Sequence, residues 1–245
     1  MDALYQLVRR YTTFIAKAGQ MQAAAPEDVF EAMREDFGVC MESFGSPLNC
    51  YFQRFGSAFP DTDVHFGSVG SFFRNEPVEG SFETGPPYVK ETMDRMAVRL
   101  DKLLAASDKP LSFIVFVPDW YDPPLQAKLT MEASPYLRAD LAANGRKHAY
   151  VVGNQHIPKA ARRRYYSVPH GTRLYWLQND AGHAKWPPTR KKLQRVLDGL
   201  ERCQIDSDSA VGKRYDTRFS AGSIRLFKDG KVIDEKKADW GVDDA

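Results

Sequence analysis

Leu4, Leu7, Val8, Tyr11, Phe14 and Ile15 recur three and four positions apart, the spacing that gathers side chains on one helical face. A second helix is expected to start at Pro26, with Glu27 and Asp28 favourable in its first turn and Val29, Phe30, Met33 and Phe37 as its apolar face. A short strand follows at Val39 to Phe44 and runs into the turn-rich stretch Gly45 to Asn49. Gly56 to Gly85 is rich in Gly, Ser, Asp and Phe, and a strand emerges from it near Val78 to Thr84. Met93, Met96, Ala97, Leu100, Leu103 and Leu104 then mark a helix. Leu111 to Val117 is an unbroken apolar run, the pattern of a strand buried on both faces. Further strands are expected near Ala149, Tyr165 and Leu174 to Gln178, and a helix after Pro187-Pro188. Ile224 to Phe227 and Val232 to Ile233 flank Lys228-Asp229-Gly230-Lys231, a hairpin signal.

Strand, helix and buried strand in this order imply an α/β fold with a mostly parallel sheet and helices on both faces. Three segments are expected: N-terminal helices over residues 1–37, one α/β domain over 38–203, and a C-terminal extension over 204–245 with the hairpin and an acidic tail. No apolar run approaches the ~20 residues of a membrane span, and the N-terminus lacks the apolar core of a secretion signal. Leu4 to Lys17, with Arg9 and Arg10, reads as a plain amphipathic helix in preference to an organelle-transit segment. Cys40, Cys50 and Cys203 have no spacing suited to zinc or a redox motif, and no metal is expected.

The formal net charge is only +2, but it is unevenly spread. Between Arg138 and Arg195 there are 13 Lys or Arg against two acids, Asp140 and Asp180. Arg162-Arg163-Arg164-Tyr165-Tyr166 interleaves cations with aromatic rings, so phosphate attraction and base stacking are both on offer. A nucleic-acid face is preferred to a merely solvated basic surface.

Open α/β sheets bind ligands beyond the carboxyl ends of their strands. Two stretches end strands in that way. Glu42-Ser43-Phe44-Gly45-Ser46-Pro47-Leu48-Asn49 would let a nucleoside cofactor approach the backbone, although many α/β loops share this composition. Gly85-Pro86-Pro87-Tyr88 resembles the [Asp/Asn/Ser]-Pro-Pro-aromatic element of amino methyltransferases. An exocyclic adenine amine is a poor nucleophile because its lone pair is delocalised into the ring. A side-chain oxygen and the first proline's carbonyl accept its N–H bonds, and the aromatic ring stacks on the extruded base. The competing reading is that Pro-Pro-Tyr merely starts a helix. Asp122-Pro123-Pro124-Leu125 is read as a helix start, since Leu125 cannot stack as a ring does. Neither a nucleophile elbow nor a phosphate-binding glycine loop is present.

Together these segments resemble the catalytic domain of the phosphorylated-CTD-interacting factor family, cap-specific adenosine N6-methyltransferases. The resemblance rests on ESFGSPLNCYF (42–52), SAFPDTDVHFGS (57–68), GSFETGPPY (80–88), PLSFIVFVPDW (110–120), NQHI (154–157) and LQNDAGHAKW (177–186). It implies a Rossmann-like fold, S-adenosylmethionine as cofactor, RNA as partner with its capped 5′ end as substrate, and an intracellular place in nucleus or cytoplasm. Carried over, Glu42, Ser43, Phe44, Pro47, Leu48, Asn49, Asp61, Asp63 and Phe66 would hold the cofactor. Gly85, Pro86, Pro87 and Tyr88 would form the catalytic element. Trp120, Arg162, Arg163, Arg164, Tyr165 and Lys185 would meet RNA, with Trp120 as a second wall of the base pocket.

Two departures stand out. The family element is Asn-Pro-Pro-Phe. Tyr88 preserves stacking, but Gly85 removes the side-chain acceptor, a contact whose loss costs about 10²–10³ in rate. Glu83, Asp119 or a water is the candidate replacement. Only about 36 residues precede the match, where family members carry a larger helical region, so cap recognition is lost, simplified or supplied by a protein partner. The expected function is RNA adenine-N6 methylation; the alternative is a catalytically inactive relative that binds RNA or serves as a structural subunit.

Overall fold

The computed structural model describes residues 2–15, 22–120, 125–151, 153, 165–209 and 222–237. The amphipathic N-terminus forms α1 (Asp2–Ile15), and the segment after Pro26 forms α2 (Glu27–Phe37). On α1, Leu7 and Tyr11 are buried, whereas Leu4 and Val8 are exposed, so the apolar face is covered only in part. Helix α2 ends at Gly38, whose φ of 68° lets its N–H reach the Arg34 carbonyl. The chain thereby enters β1 (Val39–Gly45) directly.

Strands β2 (Phe55–Ser57), β3 (Gly80–Thr84) and β4 (Leu111–Pro118) follow, with the short helix α3 (Pro60–Asp63) after β2 and α4 (Lys90–Ala106) between β3 and β4. Next come α5 (Gln126–Glu132), β5 (Leu137–Ala143), β6 (Ala149–Val151), β7 (Tyr165–Ser167) and β8 (Thr172–Gln178). Helices α6 (Asp180–Lys185) and α7 (Arg190–Ser209) and strands β9 (Ser223–Lys228) and β10 (Lys231–Lys236) complete the described chain.

One eight-stranded sheet runs in the order β10-β9-β5-β8-β4-β3-β1-β2, with a separate β6-β7 ribbon. The sheet is not mostly parallel in its pairings. Only β1-β2, β1-β3 and β3-β4 pair in parallel; β4-β8, β5-β8, β5-β9 and β9-β10 are antiparallel. The reason is local: β8 returns against β4, and the hairpin feeds straight back without a crossover helix. That hairpin turns at Asp229 and Gly230, both with positive φ, the geometry its Asp-Gly sequence favours. Through β9 it joins the main sheet beside β5.

Helices cover both faces. Val29, Phe30, Met33 and Phe37 of α2 pack with Leu193, Val196, Leu197 and Leu200 of α7 against Ile114, Phe116 and Trp176. Met93, Met96, Leu100 and Leu104 of α4 meet Phe82, Phe113, Val115 and Tyr175 on the other side. Strand β4, buried at every residue, runs through the centre as its apolar composition requires.

Asp140 on β5 is fully buried and accepts from Arg225 on β9, while Arg173 on β8 lies 3.5 Å away. The carboxylate thus ties three adjacent strands. Replacing Asp140 by alanine leaves the Arg225 guanidinium without its carboxylate and Arg173 with Asp119 alone, and should lower stability by ~3 kcal/mol in urea denaturation.

Candidate active site

The carboxyl ends of β1, β3 and β4 lie side by side, because these strands pair in parallel. Glu42 and Glu83 are direct register partners across β1 and β3. Both are buried, at 3% and 5% exposure. Glu42 Oε2 accepts from the Tyr51 and Phe52 N–H groups at 2.8 and 3.0 Å, and this pins the loop after β1. Burial pushes the Glu42 carboxyl up to about 7, although the two backbone donors pull it back. Glu83 is raised well above the usual carboxylate range, first by burial and then by the Glu42 charge.

Beyond β1 the expected cofactor residues fall into three groups. Ser43 Oγ lies 2.9 Å from Thr84 Oγ1, linking β1 to β3, and Phe44 packs on Phe72 with ring centroids 4.9 Å apart. Asn49 closes the Ser46-Pro47-Leu48 turn by accepting from the Ser46 N–H and hydroxyl, each at 2.8 Å. Leu48 and Phe66 pack with Phe59 against Leu7 and Tyr11 of α1. Asp61 is exposed and paired with Arg10 at 2.9 Å, and that guanidinium lowers its pKa. Asp63 is fully buried and accepts from the Tyr11 hydroxyl at 2.6 Å, while its Oδ1 has no partner. Burial raises its pKa against the Tyr11 bond. Ser57 and Ser68 hydroxyls meet 2.7 Å apart in the same region.

An unpartnered buried acceptor beside hydroxyls and a cluster of aromatic and aliphatic side chains suits a nucleoside: hydroxyls for the carboxylate, a planar base for the apolar wall. The donor set therefore fits an S-adenosylmethionine-type cofactor. No cluster of metal-ligating side chains occurs among the described residues.

Gly85-Pro86-Pro87-Tyr88 leaves β3 without regular structure, and α4 begins only at Lys90. The element is thus a strand-end loop and not the first turn of the helix. Pro86 is buried, and Gly85, Pro87 and Tyr88 are half-buried. Tyr88 and Trp120 meet edge to face at 6.2 Å, and Trp120 meets His170 in the same way at 5.9 Å.

Tyr88 also begins a polar chain that the sequence did not reveal. Its hydroxyl lies 3.2 Å from Tyr150 Oη, which donates to Thr172 Oγ1 at 3.1 Å. Thr172 Oγ1 is 2.8 Å from His148 Nε2, and His148 Nδ1 is 2.7 Å from the Asn144 carbonyl. A carbonyl only accepts, so Nδ1 carries the proton and Nε2 accepts from Thr172. The proton order then makes Tyr88 the donor to Tyr150. Burial holds the His148 pKa down to about 4, keeping the ring neutral. Tyr150 sits in an expected strand, but nothing local links it to a tyrosine 62 positions earlier.

The basic stretch is less open to RNA than its charge count implies. Arg138 pairs with Asp180, Arg190 with Asp234, and Arg195 with Glu35 and Asp36. Arg173 is held by Asp119 and Asp140. Lys185 does not join the site: Asn179 caps α6 and accepts from the Leu111 N–H, which fixes that helix at the opposite, amino end of β4. There its ammonium lies over Trp186 at 4.7 Å. Tyr165 donates to Glu27 at 3.3 Å at the start of α2. Arg162, Arg163, Arg164, the Asn154 to Ile157 match, the Asp122-Pro123-Pro124 segment and the acidic tail lie outside the described residues.

The mixed sheet with helices on both faces is an α/β fold of the Rossmann-like methyltransferase type. Residues 1–153 match the family profile described as phosphorylated CTD interacting factor 1 WW domain, and the described part of that stretch forms α1 to α5 and β1 to β6 here. The chain is 45% identical over 200 residues to the human mRNA (2′-O-methyladenosine-N(6)-)-methyltransferase, and 44% identical over 200 to the mouse protein of that name. On this footing the chain belongs to the phosphorylated CTD interacting factor family. The matched stretch covers 80% of this chain but 28% of each relative, so the chain corresponds to little more than a quarter of their length.

Glu42 supplies a test with a defined sign. The folded protein holds its proton up to about 7, whereas an exposed carboxyl releases it near 4.5, so this group costs stability progressively as pH rises between those values. Glu42→Gln should therefore be increasingly more stable than the parent from pH 4.5 to about 7, with the gap level above that. Urea midpoints across the range read the difference; a constant gap would contradict the assignment.

Proposed function

We propose that this chain is the catalytic domain of an adenosine-N6 methyltransferase that takes S-adenosylmethionine as donor and the first transcribed adenosine of capped RNA as target. The observation that carries the reading is the Gly-Pro-Pro-Tyr loop at the carboxyl end of β3, with Tyr88 and Trp120 rings 6.2 Å apart. A base turned out of its stack would lie on one ring and meet the edge of the other. Pro86 and Pro87 would hold a backbone carbonyl rigidly for the amine. The chain through Tyr150, Thr172 and His148 fixes the Tyr88 ring, so stacking would cost little ordering entropy.

The donor, when bound, supplies an electrophilic methyl group. Asp63 would accept from its hydroxyls, and Leu48, Phe59 and Phe66 would flank its base. Cap recognition would fall to a protein partner. A capped-RNA substrate places the work in nucleus or cytoplasm.

One observation favours the alternative, a non-catalytic RNA-binding subunit: Tyr11 of α1 packs on Leu48 and Phe66 and occupies Asp63. Titration with S-adenosylhomocysteine separates the two. Micromolar binding with methyl transfer to adenosine-initiated capped RNA is the expected result. Tyr88→Ala should then weaken RNA binding by ~10–100-fold, the worth of one stacked base. A folded protein that binds no S-adenosylhomocysteine is the outcome that sinks the enzyme and leaves the binding subunit.

A further inference from the structure

The room left by the missing side chain at position 85 is occupied. A Cβ on Gly85 would lie 2.6 Å from Glu83 Oε1, closer than side-chain atoms tolerate. Residues two apart on a strand point to the same face. The Glu83 side chain thus runs along β3 toward its carboxyl end and finishes over the glycine. Asp119, the other acid considered for this role, is committed elsewhere: it is ion-paired with Lys128 and 3.6 Å from Arg173. Glu83 has no hydrogen-bond donor among the described residues to offset its burial.

We infer that the Glu83 carboxyl takes over the work of the absent asparagine and accepts a hydrogen bond from the N–H of the target amine. This rests on the adenosine-methyltransferase reading above. Burial and the Glu42 charge hold Glu83 well above the usual carboxylate range, which favours its neutral form. A neutral carboxyl offers a carbonyl acceptor and one donor, the complement of a carboxamide. An acceptor aimed at the amine favours the tetrahedral nitrogen on which the reaction depends. That nitrogen forms a bond to the donated methyl carbon as the carbon–sulfur bond breaks with its electron pair going to sulfur. The surplus proton leaves nitrogen for water. A side chain at 85 would have to push the tip of the Glu83 carboxyl aside.

Substitutions at two positions test the assignment. Glu83→Gln keeps the acceptor and should transfer methyl groups within about threefold of the parent, whereas Glu83→Leu keeps the bulk, removes the acceptor and should lose about 10²–10³. Glu83→Ala combined with Gly85→Asn puts a carboxamide into the vacated room and should recover to within about tenfold of the parent. A second readout needs no turnover: equilibrium binding of capped oligonucleotides that begin with adenosine or with purine riboside, which lacks the amine. The parent should favour the amine by about tenfold, the Gln variant should keep that preference, and the Leu variant should lose it while retaining phosphate-driven affinity. Parental transfer rates or an intact amine preference in Glu83→Leu would overturn the role of Glu83 and leave the methyltransferase standing. A parent protein that neither binds S-adenosylhomocysteine nor prefers the amine would overturn both.

Discussion

Parallel pairing of β1, β3 and β4 is the constraint on which the site depends. Three strands pointing the same way, in the register that sets Glu42 beside Glu83, deliver their loops to one edge of the sheet. The turn after β1, the Gly-Pro-Pro-Tyr element after β3 and Trp120 after β4 meet there for that reason alone. The cost is two acids side by side in the interior, where charge is poorly solvated. The fold meets it by giving Glu42 two backbone donors, while burial and the Glu42 charge push Glu83 toward its protonated form.

Much of the framework was readable from periodicity. The apolar face of α4 and the unbroken apolar run of β4 leave few alternatives, and Asp229-Gly230 announces its hairpin. What escaped did so for physical reasons. Strand β5 is alanine-rich, with Ala139, Ala142 and Ala143 where β-branched residues would signal a strand, and it is held by neighbours on both sides instead of by propensity. Strand β2 is three residues long and carries no period. The antiparallel half was misjudged because a βαβ start gives no information on how later strands return.

The site was legible in its loops and hidden in its supports. Composition marked the strand-end segments and the aromatic at 88, and the change at 85 raised the question of a substitute. Nothing local could tell Glu83 from Asp119; only the ion pairs that occupy Asp119 decide between them. The Tyr150–Thr172–His148 chain is a contact between distant segments, which single-sequence patterns do not encode. Counting charges does not show pairing for a related reason, because arginines close together along the chain are matched to acids far off in sequence, as Arg195 is to Glu35 and Asp36.

The hairpin of β9 and β10 has a practical meaning for anyone handling the protein. β5 relies on β9 for one whole row of backbone partners, and Arg225 reaches the buried Asp140 from that strand. A shortened chain that stops after α7 would bare the N–H and C=O groups of β5 along an alanine-rich margin and take Arg225 away from Asp140. Such margins recruit other strands, so the shortened protein would be one that sticks to itself.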